Sequence, residues 1–376
     1  MRHLLLPLAM ALAAPVAAQT NPQATPPEAN RDRWVLVDKS LGRAGTTQPD
    51  GVRRYGFPRS DLNVRLDGVT IKPALALGSW AAFHPMGDQV MIMGDLVLTH
   101  EEVNPVMSRL LASGFTITAL HNHLLRSAPA TMYMHIGGHG DPVKLAAALR
   151  EALAASRTPM TAPSRDSQPP SAGAGSSPPI ALDTAALDRL MDGKGKPNGG
   201  VYQFSFPRAE KLSDGGMPAP ASMGTATAIN FQPTGSGRAA ITGDFVLTAA
   251  EVDPVLRALR AGGIEVTALH NHMLDDQPRL FFMHFWASDD AQKLARGLRA
   301  AMDKTNVMFA DGVSSHRNPL FMGYKIIRRL RRSEAIEALG TVAKRYCTLQ
   351  LSRAQPPKAV RLVAAASGMT LLSGRN

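Results

Sequence analysis

Hydrophobic and polar positions along this chain follow one pattern that is written twice, 149 residues apart. It opens at GVRRYGFPR (Gly51 to Arg59), answered by GVYQFSFPR (Gly200 to Arg208). One or two short strands are expected between Leu62 and Phe83 and in the counterpart ending at Phe231. The apolar runs Val90 to Leu98 and Ala240 to Leu247 then predict strands. Helices follow, with Val103, Val106 and Leu110, and then Val252, Val255 and Leu259, at helical spacing; Gly114 and Gly263 stop them. Phe115 to Leu125 and Thr131 to Ile136 are rich in β-branched and apolar residues and predict two strands joined by the Pro-containing loop RSAPA. A last amphipathic helix uses Val143, Leu145, Leu149 and Leu153, and in the second copy Leu294, Leu298 and Met302.

Between Gly94 and Leu153 and their counterparts Gly243 and Met302, 29 of 60 positions are identical with no gap. That identity marks an internal duplication, so the two halves share one fold. Each unit reads β-α-β-β-α with at least one strand ahead of it. The expected class is α+β: two tandem repeats, each an antiparallel sheet with helices on one face, similar to a ferredoxin-like split βαβ. Paired about a pseudo-twofold axis, the repeats either unite or separate equivalent surfaces, and the sequence leaves both arrangements open.

The duplication carries the candidate chemistry. TALHNHLL (Thr118 to Leu125) recurs as TALHNHML (Thr267 to Leu274), and the following runs end in Met-His, TMYMH and LFFMH. Folded as a hairpin about Ala128, His121 faces His135 and His123 faces Tyr133. Strand side chains alternate, so His121, His123 and His135 share one face, as do His270, His272 and His284. Three imidazoles leaving an open position suit a metal ion. Zinc fits neutral imidazoles; copper competes because Met132, Met134, Met273 and Met283 are near, although alternation turns Met134 and Met283 away. The plainer reading is a polar ladder of histidines bonded to backbone, to Asn122 and Asn271, or to Tyr133. His84, His100 and His139 occur only in the first copy.

Thr99-x-x-Glu102 and Thr248-x-x-Glu251 fit a capping box, which accounts for their spacing without catalysis; Asn104-Pro105 and Asp253-Pro254 offer a competing helix start. Asp95 and Asp244 follow a glycine within a strand and read as bulge or turn residues. Asp275 and Asp276 occupy only the second hairpin loop, so if carboxylates complete a site, only the second copy can use these two. Trp80, Phe83, Phe281, Phe282 and Trp286 are expected in the core.

Composition narrows the setting. MRHLLLPLAMALAAPVAAQ has a basic start, an apolar run and small residues before Gln19, which predicts a signal peptide over 1–18 and a periplasmic or secreted product. Residues 19 to about 30 are polar and Pro-rich and are expected to be irregular. The first repeat is expected over 31–157, a Pro/Ser/Ala-rich linker over 158–179, the second repeat over 180–303, and a basic extension over 304–376. Of the net charge of +11, that extension supplies most: thirteen Lys/Arg against three acidic residues. A field so concentrated describes a tail, so no nucleic acid partner is expected, and membrane-surface contact is expected only through the tail. A single cysteine, Cys347, excludes an intrachain disulfide framework and a multi-thiolate metal site.

The pattern GD-x-VLT-x-x-EV-x-PV, then G-x-x-VTALHNH-x-L, then Pro and Met-His, resembles the LppY/LpqO family (the DUF1259 domain) over nearly all of 31–303. The resemblance implies an exported bacterial protein and supplies no catalytic residues. The chain departs from lipoprotein members in lacking a cysteine after the apolar run. No G-x-S-x-G, H-E-x-x-H, P-loop or dinucleotide fingerprint occurs, so no nucleotide cofactor is expected and common hydrolase classes are unsupported. Three readings remain: an exported metal-binding protein, a metal-dependent hydrolase, and a non-enzymatic module holding a small ligand or cell-envelope component.

Overall fold

The computed structural model describes residues 27–160 and 179–309. The expected signal segment, most of the linker and the basic extension beyond 309 lie outside the described residues. In the first repeat, α1 (Pro27–Leu41) leads to β1 (Thr46–Thr47) and β2 (Arg53–Pro58). A small hairpin, β3 (Arg65–Leu66) and β4 (Val69–Thr70), and the single turn α2 (Pro73–Ala76) come next. Then follow β5 (Gly78–Met86), β6 (Gln89–Leu98), α3 (His100–Ala112), β7 (Thr116–His121), β8 (Met132–Gly140) and α4 (Pro142–Leu153). The second repeat answers with α5 (Thr184–Met191), β9 (Lys196–Asn198), β10 (Val201–Phe206), β11 (Ser213–Asp214) and β12 (Met217–Pro218). It continues through β13 (Thr227–Gly235), β14 (Arg238–Thr248), α6 (Ala249–Ala261), β15 (Glu265–His270), β16 (Asp276–Gln277), β17 (Leu280–Asp290) and α7 (Ala291–Met302).

Each repeat forms a six-stranded antiparallel sheet, in the orders β1-β2-β5-β6-β8-β7 and β15-β17-β14-β13-β10-β9. Because β8 lies between β6 and β7, the β6-α3-β7 crossover is split by an inserted strand. This is the expected α+β class, with a leading helix added. The irregular segment expected up to residue 30 overlaps α1, whose buried residues Trp34, Val37 and Leu41 recur at helical spacing.

Helix starts are chemically explicit. Both capping boxes form: Thr99 with Glu102, and Thr248 with Glu251. The competing starts at Asn104 and Asp253 lie inside the helices instead. Asp141 and Asp290 cap α4 and α7 by accepting from backbone N–H groups of their first turns. Gly114 and Gly263, with φ of +82° and +72°, close the turns after α3 and α6.

One face of each sheet packs on its own helices: Phe83, Ile92, Leu96 and Met134 meet Val106, Leu110 and Leu149 in the first repeat. The second repeat does the same with Ile241, Phe245, Met283, Val255 and Leu298. The opposite faces of the two sheets meet each other. Val97 and Tyr133 share a core with Val201, Ala240 and Trp286. Ala82, Met91 and Met93 pack with Met223, Val246 and Phe282. The result is four layers, helices outside and two sheets inside, which explains why β6 is buried along nearly its whole length. Connections between second and third strands reach across: Lys72 N donates to Gln232 Oε1, whose amide donates back to Thr70 O.

A candidate metal centre between the repeats

The three histidines of each repeat arrive on the inter-sheet face from strand alternation, but in a different register from the expected hairpin. His121 pairs with Tyr133 and Ala119 with His135, after a bulge between Ile117 and Ala119. The second copy is equivalent, with His270 opposite Phe282 and Ala268 opposite His284. The shift from the expected pairing is two residues, which preserves the face, so the trio still assembles. β7 ends at His121, and His123 follows it in the bend after the strand.

The two trios lie together. His121 and His270, equivalent positions, stack with ring centroids 3.5 Å apart. His123 stands 3.7 Å from His284, and its mirror pair, His135 and His272, 3.8 Å apart. These paired distances trace a pseudo-twofold axis between the sheets. His135, His272 and His284 are buried, while His121, His123 and His270 are half-buried. Tyr133 stacks on His123 and Phe282 on His272, each at 3.4 Å, forming aromatic walls at equivalent places.

Two carboxylates complete the cluster. Asp95 pairs with His135 across the sheet and Asp244 with His284. Asp244 Oδ2 is 3.1 Å from His272 Nε2, and Asp95 Oδ2 is 3.6 Å from His123 Nε2. Asp95 and Asp244 are therefore neither turn residues nor simple bulges. They project from uninterrupted central strands into the cluster, and Asp275 and Asp276 of the second hairpin loop take no part in it. Asp276 is instead engaged by Arg279 and the Leu280 N–H, and Asp275 is exposed. The glycine before each aspartate has its own cause: a Cβ on Gly243 would lie 2.0 Å from the Ala228 carbonyl oxygen, and one on Gly94 2.7 Å from that of Trp80.

Electrostatics keeps the imidazoles neutral. Burial, reinforced by neighbouring imidazoles, pushes His123 and His135 well below the usual histidine range. Burial lowers His121 to about 4, His272 to about 3 and His284 to about 4. Burial also lifts Asp244 to about 6 and raises Asp95, which in addition feels the charge of Asp244. The Asp–His contacts are accordingly not ion pairs. His284 Nδ1 meets the Gly243 carbonyl at 2.7 Å and His121 Nδ1 that of Asn122 at 3.2 Å. A carbonyl only accepts, so both rings carry the proton on Nδ1 and present the Nε2 lone pair inward.

Those inward atoms have no partner. Among the described residues, fourteen buried side-chain nitrogen or oxygen atoms lack a hydrogen bond, and nine of them belong to these six histidines and two aspartates. At roughly 1 kcal/mol or more for each orphaned group, nine would rival the entire ~5–15 kcal/mol stability of a typical domain. The polar-ladder reading holds for the Nδ1 atoms of His284 and His121 on backbone carbonyls, but its side-chain partners are committed elsewhere. Asn122 donates to Leu124 O, Asn271 to Thr118 O and Met273 O, and Tyr133 to Ala76 O. Inward-facing lone pairs and carboxylate oxygens are the donor set a divalent transition metal takes.

A family model described as Domain of Unknown Function (DUF1259) matches residues 36–155 and again residues 185–304. The chain belongs to the DUF1259 family. No curated protein matches. Among solved structures, a trimeric bacterial microcompartment shell protein, PduB, aligns at 11% identity over 69% of this chain and 90% of its own, with a TM-score of 0.19.

Within the DUF1259 repeats the remaining candidates fall outside the cluster. Glu102 and Glu251 each clasp a fully buried arginine: Arg59 Nη1 donates to Glu102 Oε2 at 2.7 Å, and Arg208 Nη1 to Glu251 Oε2 at 2.8 Å. Their role is structural. Met134 and Met283 point into the helix-side cores and Met132 packs against one of them, leaving Met273 alone in an inter-sheet core. His84 lines a separate groove of about 460 Å³ with Leu212, Pro218 and Ala219, while His100 and His139 are exposed. Of the expected aromatics, Phe83, Phe282 and Trp286 lie in buried cores, with Trp80 and Phe281 packed against them.

The residues that sequence reasoning missed are Asp95, Asp244 and the two threonines of TALHNH. The signal was present. The GD pair recurs in both copies inside an otherwise apolar strand, where a charged side chain demands a partner.

Proposed function

We propose that this protein is an exported metal-binding protein of the bacterial envelope. It holds a transition metal, zinc or copper, at one composite centre built from His121, His123, His135, His270, His272 and His284 with Asp95 and Asp244. The observation that carries this reading is that six histidines and two aspartates from both repeats, their rings stacked across the pseudo-twofold, hold nine buried nitrogen and oxygen atoms without a partner. The four-residue group Asp244, His270, His272 and His284, and the three-residue group His121, His123 and His135, each place their ligand atoms within 4.8 Å of one another. Of the four methionines beside the histidines in sequence, three pack with the helix-side cores, so the donors proposed are imidazoles and carboxylates. Elemental analysis of the purified full chain tests the proposal. Stoichiometric zinc or copper is expected, reduced when His121, His123 and His135, or His270, His272 and His284, are replaced by alanine, and lost when all six are. Metal-free protein with unchanged folding in both states would refute it.

A metal-dependent hydrolase is the second reading, favoured by His121, His123 and His270 being half-buried where the other three histidines are buried. A bound ion would supply there a water of lowered pKa. This reading requires turnover abolished by chelators and restored by the metal. A purely structural module is disfavoured by the unpartnered ring nitrogens. Export rests on the N-terminal segment; among the described residues no helix is long and apolar enough to cross a membrane.

A further inference from the structure

The centre holds more donors than one ion can use. A tetrahedral ion takes four ligands, whereas six imidazoles and two carboxylates converge here. The pseudo-twofold divides them into two sets of the same residue types, yet the sets differ. In the second repeat, Asp244 joins His270, His272 and His284 within mutual ligand distance. In the first, His121, His123 and His135 form the group without Asp95, whose oxygens stand 3.6 Å from His123 Nε2 and 4.0 Å from His135 Nε2.

The sequence reinforces that difference at one position. Arg54 donates to the Ser222 carbonyl at 2.7 Å, stacks over Trp80 at 4.2 Å and acts electrostatically on Asp95. Its counterpart 149 residues on is Gln203, neutral, with its amide on Ala74 O. Asp95 therefore already has a cationic neighbour and Asp244 has none of that kind. A fixed positive charge near one donor set weakens its attraction for a metal cation.

Resting on the metal-binding reading, we infer that the centre takes two transition-metal ions in succession. The first fills a closed four-ligand site of Asp244, His270, His272 and His284. The second binds more weakly at His121, His123 and His135, keeping a coordination position for water or another small oxygen or nitrogen donor.

Titration of the metal-free full chain with cobalt(II), followed by calorimetry, visible absorption and metal content, tests this. Two ions per chain are expected, in two steps. Asp244→Asn should remove the tighter step, and Asp95→Asn should leave it in place. Arg54→Gln should tighten the weaker step several-fold. Azide should perturb only the absorption that grows in the second step. Circular dichroism establishes that each variant is folded, and His121→Ala and His270→Ala repeat the comparison from the imidazole side. A single ion per chain, lost equally in those two variants, would overturn the inference while leaving metal binding intact. So would two equal steps indifferent to Asp244→Asn. Binding of no ion would overturn both this inference and the functional reading beneath it.

Discussion

The Thr118 hydroxyl donates to the backbone carbonyl of His272 at 2.6 Å, and its counterpart Thr267 donates to that of His123, also at 2.6 Å. Each TALHNH segment thus grips the second histidine of the other. The threonine belongs to the motif because it fixes the partner repeat's ligand backbone. Thr118→Val and Thr267→Val each keep the side-chain shape and remove one hydrogen bond. Each is expected to cost about 1 kcal/mol of stability, read as a lowered urea midpoint. Metal affinity should fall in both, and the double mutant should lose more affinity than either single change.

Gly243 is the tightest backbone approach at the centre, since an added methyl would collide with the Ala228 carbonyl. Gly243→Ala is expected to destabilise by about 1–3 kcal/mol, the range for overpacking. It should also disturb the Gly243 carbonyl that orients His284. Gly94→Ala, with more room, should cost less. Thermal denaturation of the two variants side by side checks the order.

Metal removal should destabilise the fold, because the buried donor atoms of the histidines and aspartates then lose their satisfying ligand. A chelated sample is expected to melt lower. Added zinc should raise the midpoint with concentration, by the equivalent of ~2.7 kcal/mol at one hundred times the dissociation constant.

The metal-free protein should also be acid-sensitive, and the sign follows from the direction of the shifts. His121, His272 and His284 titrate in the folded state near 4, 3 and 4, below the ordinary 6.5. The unfolded chain therefore binds more protons as pH falls below about 6.5, and stability drops from there toward about pH 4. Asp95 and Asp244 are raised and act in the opposite sense, Asp244 below about pH 6. Two carboxylates against six lowered histidines leave the acid limb falling. Replacing Asp244 by Asn should steepen it in a pH series of urea melts.

Arg59 and Glu102 test the scaffold apart from the centre. Glu102 caps Thr99, clasps buried Arg59 and accepts from the Arg157 N–H; Glu251 does the same for Thr248, Arg208 and Asn306. Removing the glutamate leaves each buried arginine only its second carboxylate, Asp61 or Glu210, so Glu102→Ala and Glu251→Ala should each cost about 3 kcal/mol, the lower end for a broken buried pair. Metal stoichiometry of the folded fraction should not change. Denaturation and metal content measured together separate the two effects.

The sequence by itself determined the duplication, the strand and helix order, the capping boxes and the face shared by each histidine trio. All of these rest on local spacing: period two, period 3.6 and residues three apart. Even the hairpin register, displaced by two residues from the expected pairing at His121, kept His121 and His135 on one side, because an even shift preserves parity. What only the tertiary structure decided was the meeting of the two trios, the recruitment of Asp95 and Asp244, and the exclusion of Asp276. Those depend on which sheet face is turned toward which, and no periodicity within a strand records that. The physical reason is that the inter-sheet face of each repeat is half apolar and half polar, a surface that alone looks like an ordinary solvent-facing sheet. Its histidines and aspartates acquire a shared environment, and a reason to be unpartnered, only when the second sheet closes over them.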